Sequence, residues 1–115
     1  MIQASFKRDE KSKAIIMQVK GHAGQDDKGH DIVCSAASIL TYTVAQYLTY
    51  VHKQNGLLKE PHIDIKDGDA TIVAKPIEKY EGEVLNAFFV AEVGYSLLAH
   101  NYPQYVELNM FSEAE

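Results

Sequence analysis

The sequence predicts an α+β fold: a two-layer α/β sandwich in which two helices cover a mostly antiparallel sheet, in the order ββαββαβ. Three observations carry this. Short stretches of alternating apolar and polar residues, bounded by turn residues, lie at both ends and in the middle of the chain. Two long stretches between them carry apolar residues at helical spacing. The strands come in hairpins, without the strict βαβ alternation of a doubly wound parallel sheet.

Each element can be justified in turn. Alternation from Ile2 to Phe6, the charged turn Arg8-Asp9-Glu10-Lys11-Ser12 and renewed alternation from Ala14 to Lys20 make an opening hairpin, which Gly21 ends. Asp31 is a good N-cap for a helix running from Ile32 to Asn55, with Val33, Ala36, Ala37, Leu40, Val44, Tyr47, Leu48 and Val51 at helical spacing and Gly56 as its stop. Its first half is nearly all small or apolar, which marks it as central to the core; Tyr42, Tyr47 and Tyr50 are expected in the core or at an interface. A second hairpin spans His62 to Lys66 and Asp69 to Ala74, with Asp67-Gly68 supplying the positive φ angles of a tight primed turn. Tyr80 to His100 reads as the second helix, with Val84, Leu85, Phe88, Ala91, Tyr95, Leu98 and Ala99 along one broad face and Pro103 beyond its end. The last strand, Tyr105 to Phe111, points Val106, Leu108 and Met110 one way.

With 115 residues, the chain has the length of a single domain over residues 1–115. Its 46% apolar and 23% charged residues suit a soluble protein, and no unbroken run of about 18 apolar residues offers a membrane span. The first residues, Met1 to Arg8, lack the basic-then-apolar pattern of a secretion signal, so a cytoplasmic location is expected. A net charge of −5 argues against direct nucleic-acid binding and suits a basic protein partner.

Cys34, the one cysteine, falls at the third position of the first helix when Asp31 is the cap. Unpaired N–H groups and the positive end of the helix dipole favour an anion there, and the thiolate is the nucleophilic form of cysteine. The same N–H groups could hold the oxyanion of a tetrahedral intermediate. His22, between Gly21 and Gly24, is the natural general base and ion-pair partner. Gly21, Gly24 and Gly29 would let the intervening loop, with Gln25-Asp26-Asp27-Lys28, act as a lid over an extended peptide. Ser38, one turn below Cys34, faces the same way and could back the site by hydrogen bonding, or bond its own backbone instead. A buried structural cysteine and a three-ligand metal site of His22, His30 and Cys34 are the competing readings of the same residues.

The segments Gly21-His22-Ala23-Gly24 and Gly29-His30-Asp31-Ile32-Val33-Cys34-Ser35-Ala36-Ala37-Ser38 resemble the signature of the ribosomal-processing cysteine protease (Prp) family, and the similarity extends over almost the whole chain. The resemblance implies a catalytic dyad of His22 and Cys34 with Ser38 beside the active site, and no cofactor or metal is expected. It further implies a homodimer with a flexible loop over the site. The implied substrate is the N-terminal extension of a large-subunit ribosomal protein, L twenty-seven, cut after a pair of phenylalanines. The alternative it leaves is a non-catalytic ribosome-associated adaptor that binds the same basic partner.

Overall fold

A computed structural model describes residues 1–24 and 31–113, without the side chains of residues 112 and 113. Five strands, β1 (Ile2–Arg8), β2 (Ile15–Lys20), β3 (His62–Lys66), β4 (Asp69–Ala74) and β5 (Val106–Glu113), form one sheet in the order β3-β4-β2-β1-β5. The helices are α1 (Ile32–Lys53) and α2 (Glu81–Asn101), so the order ββαββαβ and the α+β class hold. Three of the four pairings are antiparallel, and β1 with β5 is parallel.

The strand directions explain why both helices lie in one layer. β2 and β3 run the same way and are joined through α1; β4 and β5 run the opposite way and are joined through α2. One crossover moves left and the other right while the strand direction reverses, so two right-handed connections put α1 and α2 on the same face. That face of the sheet is apolar. Ile2, Ala4 and Phe6 of β1, Ile15, Met17 and Val19 of β2, and Ala70, Ile72 and Ala74 of β4 are buried against Val33, Ala37, Val44, Leu48 and Val51 of α1 and Val84, Phe88, Ala91 and Tyr95 of α2. Residues between them on each strand, such as Gln3, Gln18 and Thr71, face the other side and stay partly or fully exposed.

Four local expectations are corrected. The first helix ends in a Schellman motif in which Asn55, not Gly56, takes the left-handed conformation (φ 62°): Asn55 N–H donates to His52 O and Gly56 N–H to Val51 O. Gly56 is needed for space instead, since a Cβ there would lie 2.6 Å from Val51 Cγ1 and 2.8 Å from the Tyr80 ring. In the β3–β4 turn only Gly68 has a positive φ (74°), the sign pattern of a type II turn and not of the primed turn. Tyr80 belongs to a 3-10 turn, Glu78–Tyr80, that leads into α2. Finally, a bulge between Ser5 and Lys7 shifts the β1–β5 register, so Met110 is exposed and Phe111 turns inward onto Phe6 and Phe89. The buried Glu92 carboxylate fixes this end of β5 by accepting the Phe111 N–H at 2.6 Å.

Of the three tyrosines on α1, Tyr47 is half-buried, whereas Tyr42 and Tyr50 are exposed. Both long helices carry apolar side chains on their outer surfaces as well as their inner ones, and by length and composition each is long and apolar enough to cross a membrane. Here their inner faces are occupied by the sheet.

Candidate active site

β2 ends where the chain must turn sharply against β1. Gly21 sits at φ 94°, and a Cβ there would lie 2.1 Å from Met1 O, so only glycine fits. Its N–H donates to Gly68 O at 2.9 Å, which ties the end of β2 to the β3–β4 turn. His22 follows at the surface, then buried Ala23, then Gly24 at φ 70°.

The opposite wall is the start of α1. Asp31, 4% exposed, caps the helix through Oδ1, which accepts the Cys34 N–H at 3.0 Å. Cys34 is half-buried and free, and the Ala23 N–H points at its Sγ at 3.4 Å. Because Asp31 already takes the Cys34 N–H, that group is not the open oxyanion donor expected at the helix start. The Ala23 N–H, on the histidine-bearing segment, is the donor aimed at the sulfur; its dipole stabilises negative charge there. No signal in the sequence distinguishes Ala23 in this way.

His22 and Cys34 line one small cleft of about 100 Å³. Gly21 and Ser38 share its wall, and Ile2, Val19, Ala37, Ile65 and Ala70 give it an apolar floor. A second, shallower cleft meets the first at Cys34, Ser38, Tyr42 and Asp67 and continues past Asp31 and Ile39, so Cys34 lies where two surface depressions join. Beneath the floor, Thr41 Oγ1 and Tyr95 Oη lie 2.8 Å apart and both donate to Ala37 O, at 2.9 Å each, which pins the second turn of α1 to α2.

His22 reaches towards the β3–β4 turn. Its Nδ1 is 3.9 Å from Asp67 Oδ1, an ion-pair distance when the ring is protonated. Asp67 is a site residue that sequence reasoning missed. The available signal was the pairing of β2 with β4, which sets Lys20 opposite Asp69 and so brings residues 67 and 68 beside residues 21 and 22.

Thus Gly21, His22, Asp31, Cys34 and Ser38 come together, with Gly24 just beyond them. Gly29, His30 and the lid over residues 25–30 lie outside the described residues, and with His30 so does one ligand of the metal alternative. Among the described residues no three His, Cys, Asp or Glu side chains cluster as a metal site.

A family model, Cysteine protease Prp, matches residues 1–107. Among solved structures, the chain is similar to the ribosomal processing protease Prp from S. aureus in complex with a covalently linked product peptide (TM-score 0.72, 19% identity, covering 96% of this chain and 99% of that one). It is similar also to the S. aureus protease with a substrate peptide (TM-score 0.67, 18% identity, 96% and 99%) and to SMU.848 from Streptococcus mutans (TM-score 0.67, 25% identity, 99% and 96%). No curated protein sequence matches. The family match spans nearly the whole chain and includes both walls of the cleft: this protein belongs to the cysteine protease Prp family.

Proposed function

We propose that this cysteine protease removes the N-terminal extension of the large-subunit ribosomal protein L twenty-seven during ribosome assembly, with Cys34 as nucleophile and His22 as general base and acid. The observation that carries the reading is the joint: a thiol at a helix start, an N–H aimed at its sulfur, and a histidine in the same cleft. In the reaction, His22 takes the Sγ proton and the thiolate adds to the scissile carbonyl. The tetrahedral intermediate collapses as His22 gives its proton to the leaving amine. Water, deprotonated by His22, then adds to the thioester and releases the carboxylate and the thiol.

The substrate half of the proposal draws on three supports. The similar S. aureus proteins are ribosomal processing proteases seen with substrate and product peptides. The apolar floor beside Cys34 suits aromatic side chains, and burying one such ring is worth roughly 1.5–3 kcal/mol. The net charge of −5 would speed encounter with a cationic ribosomal protein. We place the enzyme in the cytoplasm as a homodimer, whose contact uses the outer face of α2, where Phe89, Val90, Val93 and Leu97 are exposed, together with β5.

The test is to incubate the protein with the extended ribosomal protein and weigh the products. One cut directly after the aromatic pair, blocked by thiol alkylation and indifferent to chelators, is expected. An unchanged substrate mass would favour the adaptor, and loss of cleavage on chelation a metal-dependent hydrolase.

A further inference from the structure

We propose that Asp67 is a positioning residue for His22, and that the turn Asp67-Gly68 is the seat on which the imidazole rests. This deepens the proposed dyad and rests on His22 being its base. Three observations converge on the turn. The β2–β4 register and the Gly21 N–H to Gly68 O bond hold it beside the histidine. The ring lies directly over Gly68: a Cβ built there would stand 2.5 Å from Nε2 and 3.1 Å from both Cδ2 and Cε1, at a φ of 74° that disfavours any side chain. The Asp67 carboxylate faces Nδ1 at 3.9 Å and lines the same two depressions as Cys34.

A base that accepts a thiol proton needs one ring nitrogen unprotonated and pointed, and its positive charge stabilised once the proton arrives. A carboxylate facing Nδ1 does both. It favours the neutral tautomer with the proton on Nδ1, which leaves the Nε2 lone pair to receive the proton, and it pairs with the imidazolium afterwards. At 3.9 Å no hydrogen bond is made, and a small rotation of either side chain would make one when substrate covers the cleft. His22 and Asp67 are 59% and 64% exposed, so water screens the pair and its effect falls far short of the ~10⁴-fold of a buried triad acid.

Steady-state cleavage of a peptide substrate by the full-length enzyme tests this with Asp67→Ala, Asp67→Glu and His22→Ala side by side. Asp67→Ala is expected to lower kcat roughly tenfold with KM within about twofold, and Asp67→Glu to restore most of the loss. Nitrogen-15 spectra above neutral pH should show His22 largely as the Nδ1–H tautomer in the parent and shifted towards Nε2–H in Asp67→Ala. An inactive His22→Ala beside an Asp67→Ala with unchanged kcat, or with only KM altered, would overturn the role of Asp67 and leave the dyad standing. An active His22→Ala would remove the dyad itself, and this inference with it.

Discussion

Replacing Asp31 by alanine should loosen the start of α1 by an amount that can be worked from its surroundings. The side chain is 4% exposed and its Oδ1 accepts the Cys34 N–H at 3.0 Å. Loss of an N-cap costs about 0.5–2 kcal/mol, and stranding a buried donor about 1–3 kcal/mol. The two figures describe the same bond and overlap, which puts the expected loss near ~2 kcal/mol. For a chain of this length that corresponds to a melting temperature lower by about 8 °C. Asparagine in place of Asp31 keeps an oxygen acceptor of the same reach, so Asp31→Asn should melt within about 3 °C of the parent. Thermal and urea melts by circular dichroism, with an unchanged urea m-value, are the assay. Cleavage should follow the same order, because a displaced Cys34 lowers kcat more than it raises KM. An Asp31→Ala variant that melts within about a degree of the parent, or an Asp31→Asn variant as unstable as the alanine one, would refute the capping argument.

Three further outcomes follow from the core and the surface. Burial pushes the Tyr95 hydroxyl up to about 12, against about 10 in an unfolded chain, so its contribution is full below pH 10 and is lost as pH climbs towards 12, by about 2–3 kcal/mol. Tyr95→Phe should abolish that alkaline loss while costing about 1 kcal/mol at neutral pH, as urea melts on either side of the interval will show. Glu92→Ala strands the Phe111 N–H and should cost about 1–3 kcal/mol; faster hydrogen exchange at the Phe111 amide, with β2 amides unchanged, is the signature. Light scattering should return twice the chain mass of 12.8 kDa, and Val93→Glu, on the exposed face of α2, should return that mass once. A parent protein that scatters as a monomer at micromolar concentration contradicts the proposed dimer.

Much of the architecture was legible because short-range chemistry sets it. β3 and β4 run over the residues that alternation and the Asp67-Gly68 pair mark out, and α1 begins where Asp31 can cap it. What could not be read depends on long-range pairing. The parallel contact of β1 with β5, and the bulge that exchanges Met110 for Phe111 on the inner face, arise only when the chain's two ends meet. The site divides the same way. Gly21, His22, Asp31 and Cys34 stand out by spacing, whereas Asp67 reaches His22 through the β2–β4 register, and the use of the Cys34 N–H by Asp31 becomes visible only in three dimensions.

The dyad is the central claim, and single-turnover cleavage of the extended ribosomal substrate by Cys34→Ala, Cys34→Ser and His22→Ala tests it most directly. Each variant should fold, as its circular dichroism will report, and each should cleave at least ~10³-fold more slowly than the parent, because the two residues act as a unit and a serine hydroxyl is a far weaker nucleophile at a helix start. A folded Cys34→Ala protein that still cuts after the aromatic pair at roughly a tenth of the parent rate or faster would contradict the assignment of Cys34 as the nucleophile.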